Sequence, residues 1–284
     1  MPPIDRRLVL IALPLAAFVV AGLAAPLLAP HDPTATNLAA SLQPPSGEHL
    51  LGTDQLGRDQ LSRLLYGART SLALVAIVLG VAVAVGVAVG LVAGYAGGLL
   101  DRLTLRVIDV ALTLPSVVIA LAVLGARGTG TANLVLALTI TSWPPFARLA
   151  RAQVVSLRRS AHVDALRVLG AGRPRILGRH LLPAALVPVL VYASVELGAL
   201  VLSLAFLSFL GLGIAPPQPE WGQMLIDARP FLGSALWLAL PPGIAITGVV
   251  LSSNLLGEHL GGRELGPSPV HPFARMRRRG DGAP

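Results

Sequence analysis

The sequence predicts an all-α integral membrane protein with six transmembrane helices, and three observations carry that prediction. Of 284 residues, 54% are hydrophobic and only 13% are charged, a balance too apolar for an ordinary soluble domain of this length. Several charge-poor runs reach the roughly 20 residues that a helix rising about 1.5 Å per residue needs to cross about 30 Å of hydrocarbon. Most arginines fall in the short segments between those runs, as topology signals do.

The first run, residues 8–29, follows Arg6 and Arg7 and carries no charge. A cleaved signal peptide is the competing reading, because Ala21, Ala24 and Ala25 resemble a processing site. A signal core is usually shorter, about 7–15 residues, so a retained span is expected. Residues 30–69 are mixed, with turn signals at Pro44, Pro45 and Gly47. Leu56, Leu61, Leu64 and Leu65 then recur at roughly helical spacing, as in an amphipathic helix at the membrane surface. Asp54 and Asp59 lie close enough to Arg58, Arg63 and Arg69 to neutralise them in part.

A second span is expected over 70–93. Its Gly86, Gly90 and Gly94 share one face, and such a face lets two helices approach closely in lipid, where packing drives association. A chance spacing of common residues is the bland alternative. A third span is expected over 103–124 and a fourth over 132–150, kinked or interrupted by Pro144 and Pro145. The fifth is expected over 181–211 and the sixth over 234–256, separated by a turn-rich loop. Three parts follow: a first helix with its outer segment (1–69), a core of five spans (70–260) that includes a cytoplasmic loop at 151–182, and a polar cytoplasmic tail (261–284).

With the amino end inside, the cytoplasmic segments hold Arg6, Arg7, Arg102, Arg106, all eight arginines from Arg148 to Arg179 and all five from Arg263 to Arg279. The outer segments keep Arg58, Arg63, Arg69, Arg127 and Arg229. That asymmetry places both termini in the cytoplasm by the positive-inside rule. The formal charge of +8 is therefore read as topological, and no nucleic-acid partner is expected.

All basic residues are arginine, so a Walker A loop, which needs its lysine, cannot be completed here. The absence of cysteine excludes disulfides and thiolate chemistry. The six histidines show no metal-ligand spacing and no His-Glu-x-x-His helix, so no metal site is expected. Ser156, Ser160 and His162 are close in sequence, but a triad also needs an oriented acid and an oxyanion site. No catalytic residue is expected.

The stretch 151–183, RAQVVSLRRSAHVDALRVLGAGRPRILGRHLLP, is the most informative. A helix over 162–169, ended by Gly170, would carry Val163, Leu166 and Leu169 on one side and Asp164 near its positive end. Such apolar residues suit a short helix that docks into a partner's groove.

The run Val163-Asp164-Ala165-Leu166 … Gly170-Ala171 … Ile176 … Leu182-Pro183 resembles the Glu-Ala-Ala loop of ABC importer permeases, with Asp for Glu and Leu for the second Ala. Leu51-Gly52-Thr53-Asp54 … Gly57-Arg58-Asp59, Tyr66-Gly67-Ala68-Arg69, Gly94-Tyr95 … Gly97-Gly98, Leu207 to Gly213, and Pro216-Pro217 … Trp221-Gly222 extend the likeness over about residues 50–260. They resemble the C-type permease subunit of dipeptide, oligopeptide and nickel importers. The resemblance implies a type I importer (MetI-like) fold in a bacterial or archaeal plasma membrane. It also implies a homologous second permease in a heterodimer, two ATPase subunits or domains that bind ATP and magnesium, and an extracytoplasmic substrate-binding protein. This chain would bind no cofactor itself. Dipeptides or oligopeptides are the implied cargo, with nickel or another small solute as the alternative. The loop residues would form the helix that couples to the ATPase.

Two further sets are candidates. Family members often carry a glutamate where this chain has Leu204, so that acidic position is not transferred. Glu196 instead lies within the fifth span, where an acid is costly and faces a pathway, an interface or a hydrogen-bond partner. Asp101, Arg106 and Asp109 begin the third span, and Arg106 with Asp109 has the i, i+3 spacing of an ion pair; contact with the ATPase is the alternative. A membrane enzyme would need a cluster of intramembrane catalytic groups, and only Glu196 qualifies. A receptor or scaffold would leave the Gly170 … Ile176 … Leu182-Pro183 spacing unexplained.

Overall fold

The computed structural model describes residues 6–264 and is all-helical, with α1 (Arg6–Leu23), α2 (Ala25–Leu28), α3 (Gln60–Ala96), α4 (Gly98–Thr113), α5 (Ser116–Arg127), α6 (Thr131–Leu157), α7 (Ala161–Val168), α8 (Arg173–Ile176), α9 (Leu182–Phe209), α10 (Trp221–Ala228) and α11 (Leu240–Glu264). Three helical segments, 60–96, 173–209 and 236–262, are long and apolar enough to cross a membrane. The pair α4 and α5 qualifies as a fourth, although the two are bent by 91°.

The axis of the molecule is α3. At 37 residues it is about 55 Å long, so it passes well beyond a hydrocarbon core. Asp59 starts it, accepting from the Ser62 backbone N–H at 2.8 Å, the N-cap arrangement that satisfies an otherwise orphaned donor. Leu61, Leu64 and Leu65 therefore belong to its first turns, and the separate surface helix expected near them does not form. The boundary read at 69/70 falls inside this helix.

The glycine face does what close packing requires. A Cβ on Gly86 would lie 2.5 Å from Phe146 Cβ, and one on Gly90 would lie 2.5 Å from the Ala147 carbonyl oxygen, both on α6. Only hydrogen lets the two backbones meet this closely. Pressed along α3, α6 remains one helix through Pro144 and Pro145. Of the kink or interruption expected there, the interruption is absent: packing along α3 supports the turn that the two missing N–H groups leave unbonded.

The third expected span is instead two helices. Leu114 is extended (ψ 135°) before Pro115, as the steric demand of a following proline favours. The first span is also shorter than expected, breaking at Ala24 before the single turn of α2. The loop after the fifth span contains α10, capped by Glu220 through the backbone N–H groups of Gly222 and Gln223 at 2.8 and 2.9 Å. At the other end of the chain, α11 continues to Glu264, past the expected end of the sixth span; the remainder of the tail lies outside the described residues.

Two buried clusters fill the interior. One joins α3, α5, α6, α9, α10 and α11 around Val78, Leu134, Leu204 and Trp221. The other joins α3, α6, α7, α8 and α9 around Phe146, Val154, Val163 and Ile176. The first lies toward the start of α3 and the second toward its end, so two structured regions sit at opposite ends of one long helix.

Candidate functional site

At the end of α3, the segment joining α6 to α9 folds back against the body. Arg158 ties it down, donating to the Gly94 carbonyl at 2.7 Å. Ser160 caps α7 through the Val163 N–H. Gly170, at φ +78°, closes its far end: its N–H donates to the Arg167 carbonyl at 3.0 Å, and the Ala171 N–H donates to Leu166 at 2.9 Å. These are the two bonds of a glycine-terminated Schellman motif.

Burial divides the candidate loop residues into two groups. Val163 and Ile176 are buried, with Leu166, Ala171 and Leu182 half-buried against the same cluster. They anchor the loop against the body. Asp164, Ala165, Gly170 and Pro183 are exposed, and Asp164 pairs with Arg167 at 2.8 Å. The large apolar side chains facing outward are Val168 and Leu169, 88% and 82% exposed. Sequence spacing put Leu169 on the same docking side as Val163 and Leu166; the structure separates them, with Val163 and Leu166 turned toward the body and Val168 and Leu169 turned outward.

Neither candidate carboxylate of α4 pairs with Arg106. Asp101 takes a two-pronged contact from Arg151, at 2.5 and 2.8 Å, and Asp109 pairs with Arg148. Both partners are on α6, so these are bridges between helices. Arg106 is exposed and takes no part in them. The i, i+3 spacing fails here because α6 offers guanidiniums to both carboxylates.

Glu196 is half-buried on α9, one turn after Tyr192. The Tyr192 ring meets Phe146 of α6 edge to face, 5.2 Å between centroids. Leu204, in the position where a glutamate was considered, is fully buried.

The start of α3 carries a cap of charged groups whose pairing the sequence foresaw only in part. Arg58 donates to Asp54 at 2.7 Å, and Arg63 reaches Asp54 at 3.3 Å and Asp227 of α10 at 3.2 Å. Gln60 reaches the Leu238 carbonyl at 2.8 Å, and Ser71 donates to Glu220 at 3.2 Å. Asp59 is not an arginine partner: it holds His49 at 2.9 Å, with His31 at 3.7 Å. Sequence spacing did not reveal that grouping, because the irregular segment between α2 and α3 has no period that would bring residues 31, 49 and 59 together.

Residues 86–264 match the model of the family described as binding-protein-dependent transport system inner membrane component. The chain is 40% identical over 243 residues to the dipeptide transport system permease protein of Alkalihalophilus pseudofirmus, covering 86% of this chain and 80% of that one. It is 38% identical to the nickel transport system permease protein of Escherichia coli K12, covering 81% and 83%. It is 36% identical to the probable D,D-dipeptide transport system permease protein of the same strain, covering 82% and 78%.

Proposed function

Because the chain belongs to the family of binding-protein-dependent transport system inner membrane components, we propose that it forms half of a translocation pathway for dipeptides or oligopeptides. It is a multi-pass permease subunit of an ABC importer and not an enzyme. In this reading a homologous permease completes the pathway, two ATPase subunits or domains that bind ATP and magnesium engage the α7 loop, and an external binding protein delivers substrate to the cap. In this reading the chain crosses a plasma membrane six times, through α1, α3, the bent pair, α6, α9 and α11, with both termini in the cytoplasm, an orientation that the arginine asymmetry supports.

The observation that carries this reading is α7, held at three points and presenting Val168 and Leu169 at the end of α3 opposite the cap. An exposed apolar pair on a fixed helix suits a groove, and the loop behind it transmits movement into α6 and α9. Peptide cargo is favoured by the peptide permeases among the relatives; the nickel permease supports a small-solute alternative.

The test uses the reconstituted permease pair with its ATPases and binding protein, comparing the native chain with a Val168→Asp, Leu169→Asp variant and with an Asp164→Arg, Gly170→Leu variant. Loss of a docking anchor of about 2 kcal/mol weakens ATPase retention roughly 30-fold. Stimulated hydrolysis is expected to fall with it while the variant keeps its elution position. Full retention of coupling in both variants would remove the docking role. Uptake of labelled nickel that dipeptides fail to compete would select the alternative cargo.

A further inference from the structure

Three side chains of types that ligate metals meet at the cap, all from the segment that joins α2 to α3. His31 follows α2, His49 lies in the loop before α3, and Asp59 is the first residue ahead of α3. One ligand atom from each lies within 4.8 Å of the other two. The Asp59 carboxylate is already oriented: its Oδ2 accepts from the Ser62 N–H at 2.8 Å and the Ser62 hydroxyl at 2.7 Å. That leaves Oδ1 for the histidines, with His49 Nδ1 at 2.9 Å and His31 Nδ1 at 3.7 Å.

Asp59 and His49 are buried, whereas the His31 side chain is 38% exposed. The His31 backbone N–H donates to the same Ser62 hydroxyl at 3.1 Å, which fixes the segment. His31 also lines an open cavity of about 800 Å³ together with Asp32, Tyr66 and Arg69. The group thus has a rigid inner half and a reachable outer ligand.

We propose that His31, His49 and Asp59 bind a divalent transition metal of the zinc, cobalt or nickel kind, separately from the transported cargo. Two imidazoles and one carboxylate suit these borderline ions, whereas calcium and magnesium favour a larger set of oxygen ligands. Ligands about 2.0–2.2 Å from a tetrahedral ion stand roughly 3.3–3.6 Å apart. The His49–Asp59 pair is near that spacing, and a side-chain rotation of the exposed His31 closes the remainder. The metal takes the place of the proton between His49 and Asp59, and the cavity side leaves a position for water. Binding ties the segment after α2 and the cap loop to the start of α3.

The test is zinc calorimetry and cobalt(II) absorption on the full transporter complex without a polyhistidine tag, in parallel with thermal unfolding. One metal per copy of this chain is expected, with a metal-dependent rise in the unfolding midpoint. His31→Ala and His49→Gln should each weaken binding at least 10-fold and abolish that rise, whereas a His162→Ala, His180→Ala variant should bind as the native chain does. Because His31 is exposed, its alanine variant should unfold in chelator at the native temperature. Binding that survives both cap variants, that disappears with His162 and His180, or that is absent from the native complex overturns the site.

Discussion

Arg63 lies 2% exposed between two carboxylates, Asp54 and Asp227, which arrive from different parts of the chain. Burial lowers the value of any single pair here, because desolvation opposes the Coulomb gain. Removing one partner is a different matter. Arg63→Ala leaves Arg58 alone against both carboxylates and is expected to cost about 3–5 kcal/mol, read as a large fall in the unfolding midpoint. The Asp164–Arg167 pair is exposed at both ends, so Asp164→Ala should change stability by less than about 1 kcal/mol. Any larger effect of that variant on ATPase coupling would then report docking. The acidic and basic residues of the cap were legible as neighbours in sequence; Asp227 was not, since it comes from a helix that turn signals had concealed.

At the scale of elements, α3 and α6 show how sequence spacing translates into contact. Gly90→Leu forces a side chain into the space held by the Ala147 carbonyl, Ala150 and Arg151. Overpacking of this kind costs about 1–3 kcal/mol. Gly80 of the same helix has nothing within 4 Å of an added Cβ, so Gly80→Ala should be neutral or stabilising by up to about 1 kcal/mol. Comparing the two unfolding midpoints separates packing from helix propensity; equal effects would deny the glycine face its role. Proline acts differently at two places. At Pro115 the preceding Leu114 is extended and α4 ends, whereas Pro144 and Pro145 sit in a helix pressed along α3.

For the whole molecule, the decisive arrangement is the separation of cap and α7 loop by the length of α3. The native chain has no cysteine, so single introduced thiols can test its orientation directly. Gly47 is exposed with nothing within 4 Å of an added Cβ, and Leu169 is exposed at the opposite end. A membrane-impermeant maleimide applied to intact cells should label Gly47→Cys and spare Leu169→Cys until the membrane is opened. The reverse pattern would invert the proposed topology and remove the binding-protein role from the cap.

Hydrophobic run length, arginine placement and glycine spacing were enough to determine a helical membrane protein, the α3 face that packs and the position of α7, because these properties repeat locally along the chain. The motifs at 51–59 and 163–183 also marked the family. Only the tertiary structure decided that α4 and α5 part at a sharp bend, that Asp101 and Asp109 reach α6 instead of Arg106, and that His31 and His49 meet Asp59. Those outcomes depend on which distant groups arrive at the same place, and sequence spacing constrains that only through the fold.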